Sequence, residues 1–311
     1  MPRPKLHADP FGTASVLRRW ERDHGDDPLA TPFQSPAFHR LYERYASTTS
    51  ALLLAGEASL PMTSRPLGFG LHARGLSPIG QYGGPVGGPL EARAALLAYA
   101  EQHVGFAEAC LPPASPLRFR EARRIYLGET SLLRRGPGGW TSFRSTKRRH
   151  RVAELGLSIE VFGPDEVPSD LYELHVAQHA RWQTPPMPRG LHDGLTRLAG
   201  AATHVLYAPS GRALAYYLSF IHRDVCYSHR GVSSPEGREV DAHRVLHGAV
   251  LSALPASVTT YDLGASVGLR ALKAFKLSIG AGDVPVVAYA RPSPALRMRR
   301  ALTSIARLVR G

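Results

Sequence analysis

The chain has 311 residues, 43% of them hydrophobic, enough for a packed core and for two modest domains. Its 38 Lys and Arg against 25 Asp and Glu leave a net charge of +13, a field that favours polyanions such as nucleic acid, anionic lipid or a phosphorylated substrate. Cys110 and Cys226 are too few for a disulfide framework, MPRPKLHADPFG lacks the apolar segment of a signal peptide, and no apolar run approaches the ~20 residues of a spanning helix; the expected setting is reducing and cytoplasmic.

Residues 31–110 read as mixed α and β. In FQSPAFHRLYERYA, Ser35 can cap a helix that opens at Pro36 and turns Phe38, Leu41, Tyr42 and Tyr45 to one face. ALLLAG reads as a buried strand, residues 67–82 as short apolar pieces, QYGGPVGGP as tight turns and ARAALLAYAEQHV as a helix. Residues 117–151 form a basic middle, with Lys147, Arg148, Arg149 and Arg151 at its dense end, and RGPGGWTS suggests a domain boundary near residue 140.

Residues 152–290 read as a second α/β unit. LSIEVF is a strand, residues 168–182 and 189–200 are helices, and THVLYAP, RALAYYLSFIHR and DVCYSHRGVS are strands joined at Ser210-Gly211 and Arg223-Asp224. DAHRVLHGAVLSAL is a strongly patterned helix, TTYDLG a strand, GLRALKAFKLSIGAG a helix and VPVVAYARP a last strand. This order suits an α/β sandwich, and residues 31–110 offer a weaker copy of it, as an internal duplication would. From Pro294 the tail reads as a basic amphipathic helix that packs on its own domain or lies on an anionic membrane surface.

Several motifs carry no chemistry. HVAQH and HRVLH set His175 and His179, and His243 and His247, one helical turn apart, but no carboxylate or cysteine completes a zinc set, and no metal is expected. RPLGFG fits the loose Arg-x-x-Gly-x-Gly pattern of a pyrophosphate cradle, but LHARGLSPI after it does not open a helix. Ser142 and Ser145 precede His150 without the Gly-x-Ser-x-Gly elbow of a serine hydrolase.

The lysine of "GLRALKAFKLSIGAG" does call for chemistry. At 100° per residue Leu269, Leu272, Phe275 and Ile279 form an apolar stripe, and Lys276 falls in its middle while Lys273 sits at its edge. A buried ammonium costs several kcal/mol unless it meets an anion or lines a cavity. The preceding strand brings Asp262, and a fixed ammonium there can stabilise an oxyanion developing in acyl transfer.

The segment YDLGASVGLRALKAFKLSIGA resembles the end of the second domain in the FemAB family of aminoacyl-tRNA-dependent peptidyltransferases, through Asp262, Gly264, Gly268, Leu269, Phe275, Lys276 and Gly280, with a longer spacer at Arg270–Ala274. PFQSPAF, LGFGLHARGLSPIGQYGGPVG and STKRRHRVAELGLSIEV resemble the family's first helix, its Gly-Gly-Pro turn and the opening of its second domain, so the likeness covers most of residues 32–290.

The resemblance implies an α/β chain of two tandem GNAT-like (acyl-CoA N-acyltransferase-like) domains, each a mixed sheet flanked by helices. They are expected at 1–140 and 141–290, with a C-terminal helix at 291–311 packing back on the first. It implies transfer of an aminoacyl group from aminoacyl-tRNA to an amine acceptor, phosphorylated or lipid-linked, such as a peptidoglycan precursor, without a resident cofactor. The resemblance makes Lys276 and Phe275 the implied catalytic pair and Arg181 and Tyr227 the implied acceptor-binding residues; Asp262 is expected to orient or deprotonate the amine or else to cap the loop at Gly264, Tyr82 and His229 to join the acceptor site, and Lys147, Arg148, Arg149 and Arg151 to meet the tRNA. The family's first helix supplies a lysine for a diphosphate; here Tyr42 stands near that place, and the coiled-coil arm of some members is missing. Two further readings stay open. One is an N-acyltransferase that takes acyl-CoA or an acyl carrier protein. The other is a non-catalytic protein that binds nucleic acid, or an anionic membrane through 294–311.

Overall fold

The computed structural model describes residues 4–68, 71–78, 81–105, 108–113, 115–120, 125–140, 143, 152, 154–266 and 269–290. The chain divides into two compact units, one of Met1–Gly128 with the stretch from Val286 onward, the other Glu129–Pro285.

In the first unit, β1 (Lys5–His7), β2 (Thr49–Ala55), β3 (Ala58–Gly68) and β4 (Leu71–Gly75) follow one another antiparallel. β5 (Glu108–Cys110) joins β4 in parallel, and residues 288–290 of β12 (Gly282–Ala290) close the sheet against β5. The triple leucine of ALLLAG is explained by this sheet. Strand side chains alternate, and both faces are covered. Leu52 and Leu54 join Trp20 and Val16 of α1 (Ala14–Asp26), while Leu53 joins Leu96 and Leu97 of α3 (Leu90–Tyr99). The capped helix is α2 (Pro36–Tyr45), where Ser35 Oγ accepts from Phe38 N at 3.2 Å. Tyr42 of α2 is buried against Phe38.

In the second unit the strand order is β6 (Ile125–Arg134), β11 (Thr260–Ala265), β10 (Val225–Ser233), β9 (Ala213–His222), β8 (Ala201–Tyr207) and β7 (Ser158–Phe162). Every neighbouring pair is antiparallel except β10 and β11, which α6 (Pro235–Glu239) and α7 (Ala242–Ala253) connect as a β-α-β crossover. One face packs on α4 (Leu171–Arg181) through Leu171, Val205, Tyr216 and Val232. The same side carries α5 (Arg189–Thr196), whose His192 Nε2 lies 3.1 Å from Tyr216 OH. The other face packs on α7 through Leu246 and Val250 and on Ile279 at the end of α8 (Arg270–Ser278).

The parallel pair is short. Its register runs Val225–Thr260, Cys226–Tyr261 and Tyr227–Asp262 and then stops. Both strands change register where they part, β10 between Ser228 and Arg230 against β9, and β11 between Asp262 and Ala265 against β6. Such bulges bend a strand away from its partner.

The division between units falls at Gly128/Glu129, before the Gly-rich turn expected to mark it. Thr130 to Arg134 already pair with β11, so the chain has entered the second unit's sheet by then. At the other end Val286 onward groups with the first unit because Ala288–Ala290 pair with β5. The expected helix at 291–311 lies outside the described residues.

Candidate active site

The site grows from the point where β10 and β11 separate. Asp262 is the last β11 residue in register, and its buried carboxylate cannot stay charged without donors. Its Oδ1 accepts from Thr130 Oγ1 at 2.8 Å and from the backbone N–H of Gly264 at 2.7 Å. The second bond draws the chain into a tight turn, and Gly264 takes φ of +71°, a left-handed conformation that costs glycine little.

That turn presents the carbonyls of Gly264 and Ala265 to α8. Lys276 Nζ donates to them at 2.7 and 3.1 Å, and the lysine is 4% exposed. Two of its three protons are thus engaged; among the described residues no third acceptor meets it. Burial lowers its pKa from 10.5 to about 8, against the raising influence of the Asp262 and Asp283 carboxylates. The result is a cation with a protein-facing side and one proton to spare, beside the parted strands.

The stripe that drew attention to Lys276 is not the buried face of its helix. Leu269 is 62% exposed and Leu272 is exposed too; the inward line is half-buried Phe275, buried Lys276 and, just past the helix, buried Ile279. Lys273 forms an ion pair with Glu129 and lies 3.0 Å from Asp283 Oδ2, which also accepts from Ser131 through Oδ1. Phe275 turns inward, its ring 5.7 Å from that of His247 and 5.7 Å from the Arg244 guanidinium carbon. In this arrangement it packs α8 on α7.

Tyr227 stands beside Asp262 across the parallel pair, buried, and burial raises its phenol pKa. His229 packs on Phe220 with ring centroids 5.2 Å apart, and burial lowers its pKa to about 3. Arg181 is the exposed last residue of α4. Tyr82 belongs to the first unit, buried near Phe33. Lys147, Arg148, Arg149 and Arg151 lie outside the described residues, as do Gly268 and the tail.

Three of the four paired histidines, His175, His179 and His247, take part in ordinary hydrogen bonding rather than in a metal set. His175 Nε2 accepts from Met187 N at 3.2 Å, His179 Nδ1 lies 2.9 Å from Thr184 Oγ1, and His247 Nδ1 lies 2.8 Å from Tyr261 OH. Sequence reasoning missed Thr130, Ser131 and Glu129, which hold Asp262, Asp283 and Lys273. Their strand, IYLGETSLLR, lies among arginines that dominate its sequence pattern.

The Acetyltransferase (GNAT) domain family model matches residues 141–276, the stretch holding Asp262 and Lys276. A crystal structure of FemX superposes with a TM-score of 0.64 at 12% identity, covering 91% of this chain and 98% of that one. The fold is a tandem GNAT fold. The C-terminal (DUF2156) domain of a putative lysylphosphatidylglycerol synthetase from Agrobacterium fabrum matches with a TM-score of 0.59 at 15% identity, covering 94% and 96% of the two chains. A tandem GNAT protein from the clavulanic acid biosynthesis pathway matches with 0.50 at 13% identity, covering 93% and 98%. No curated protein sequence matches the chain. Among the described residues no helix is long and apolar enough to cross a membrane.

Proposed function

We propose that the second unit is an acyltransferase that moves an aminoacyl group from aminoacyl-tRNA to an amine acceptor. The observation that carries this reading is the buried ammonium of Lys276, held by Gly264 and Ala265 where β10 and β11 part. A neutral acceptor amine attacks the ester carbonyl. The C–N bond forms, the carbonyl oxygen becomes an oxyanion, and the ester C–O bond then breaks to return the ribose hydroxyl. Lys276 directs its third proton to that oxyanion, and the amine's surplus proton leaves with the ribose oxygen or to water. Asp262 acts as a positioning residue, since its carboxylate sets the turn that places both carbonyls. Tyr227 and Arg181 are assigned to the acceptor, and the basic stretch at Lys147–Arg151 to the phosphodiester chain, with binding that weakens as salt rises. The resemblance of YDLGASVGLRALKAFKLSIGA to the FemAB family and the fold likeness to FemX and to a putative lysylphosphatidylglycerol synthetase support an aminoacyl donor.

A second donor has its own support, because the matching domain model is that of an acetyltransferase. In that reading the same ammonium serves a thioester, and a free thiol is released. Labelled transfer from a mixed aminoacyl-tRNA pool, run beside acyl-CoA into candidate amines, separates the two. Label transfer with tRNA and no thiol release with CoA is the expected result; thiol release without tRNA overturns the donor assignment.

A further inference from the structure

Arg230 is a charge that the reading above does not use. It follows the β10 bulge, opposite Leu218, and its neighbour two residues on, Val232, packs on Leu171 of α4. The side chain therefore projects on the α4 face. Its Nη1 lies 3.4 Å from His179 Nε2, and its Nε is enclosed without a hydrogen-bond partner. Among the described residues no carboxylate stands within ion-pair distance of it. Asp193, whose charge acts with that of Arg230 on His192 and Tyr216, is occupied by His192 Nδ1 at 2.9 Å and Arg189 at 3.6 Å. A guanidinium presents five donors, and here one weak contact uses one of them.

The surroundings are built and fixed. Gln178 ties α4 to β10, donating to Gly231 O at 3.3 Å and accepting from Ser233 N at 2.8 Å. His175 and His179 come from α4, His192 from α5, His229 from β10 and Tyr216 from β9. Burial, with the Arg230 charge adding to it, lowers the pKa of each of these four histidines. A cation in contact with the neutral imidazole of His179, itself packed near His175, and lacking a counter-ion is an unfinished ion pair. Trp182, 54% exposed and 5.4 Å from the His179 ring, borders its approach.

We infer that this face of the second unit holds a subsite for a compact oxyanion, a carboxylate or a phosphate, centred on Arg230 with His179 beside it. The inference deepens the proposed function, and rests on it only in assigning the oxyanion to the acyl acceptor. It differs from the Arg181 assignment, since Arg181 is exposed at the helix end and Arg230 is half-buried with its Nε enclosed.

The test is calorimetric titration of the full chain with inorganic phosphate and, separately, acetate at fixed ionic strength. Saturable binding of one or both is expected, weakened about tenfold or more in Arg230→Gln by loss of a charge-assisted contact. Arg212→Gln, which removes an exposed arginine paired with Glu236, should bind as the wild type does. The ion that binds more tightly tells a phosphate-bearing from a carboxylate-bearing acceptor. Absence of saturable binding, or equal binding by Arg230→Gln, overturns the inference. Should Arg230→Gln fail to fold, the wild-type ring resonances of His179 decide: they shift on anion addition if the subsite exists, and unmoved signals sink it. Lys276→Met separates the two claims, because it should retain anion binding whether or not transfer survives.

Discussion

Replacing Lys276 with Met keeps side-chain bulk and removes the charge. The displacement of the lysine pKa from 10.5 to about 8 corresponds to about 3 kcal/mol of destabilisation when the group is charged in the fold. The penalty is complete below pH 8, where folded and unfolded chains both hold the proton. It shrinks between pH 8 and 10.5, where the folded chain releases its proton first, so wild-type stability gains over that window relative to Met. Against the relief, Met leaves the carbonyls of Gly264 and Ala265 without a donor, at about 1–3 kcal/mol. The opposing effects are similar, so the Met chain should unfold at pH 7 within about 2 kcal/mol of wild type by urea titration. Turnover should fall by about 10²–10³-fold, the range seen when one donor to a developing oxyanion is lost. Wild-type transfer should also decline as pH rises through about 8, where Lys276 loses its charge. A Met chain that is folded and transfers label within about tenfold of wild type would refute the role assigned to the ammonium.

Asp262→Asn removes a carboxylate that raises the Lys276 pKa, so the alkaline limb of the pH–rate profile should move to lower pH; a limb that stays put or moves up contradicts the coupling. His39 is fully buried beside Trp20 with its pKa lowered to about 3, chiefly by burial. A lowered histidine pKa gives stability that is present above pH 6.5 and lost as pH falls toward the folded value. At pH 5 the loss from His39 should be about 2 kcal/mol, so His39→Met should show a correspondingly smaller drop between pH 7 and 5 in urea unfolding. Gly200 has φ of +79°, and a Cβ there would meet the Ile221 carbonyl oxygen at 2.3 Å, so Gly200→Ala should lower stability by about 2 kcal/mol or more; an unchanged unfolding midpoint would show that the turn can shift freely.

The second unit was legible because its signals are local. Alternation in RALAYYLSFIHR, the turn at Ser210-Gly211 and the stripe of DAHRVLHGAVLSAL each specify an element without help from distant residues. Elements that depend on distant partners were harder to read. β6 is a strand because Thr130–Arg134 pair with β11, more than a hundred residues away, and its flanking arginines masked that pattern. β3 carries Pro61 and Pro66, which argue against a strand, yet it pairs with β2 and β4 over most of its length. Helix α1 carries few large apolar residues, Val16, Leu17 and Trp20, and so shows little of a helical stripe in sequence.

The periodicity that singles out Lys276 is inexact. The apolar stripe built from Leu269 and Leu272 is partly solvent-facing, yet the conclusion that position 276 is buried holds because Phe275, Lys276 and Ile279 turn inward together. What no pattern could supply is the turn beyond Asp262. There the chain bends back through Gly264, and its carbonyls, rather than a carboxylate, meet the ammonium. That difference bears on mechanism. Carbonyl dipoles offset the burial of the cation while leaving its charge unneutralised, and the Asp262 and Asp283 carboxylates act on it from beyond hydrogen-bond contact. A lysine locked in a direct carboxylate pair would offer little to a new anion. In the proposed transfer Lys276, held by dipoles, keeps one proton free to donate where the strands part, already oriented before any oxyanion forms.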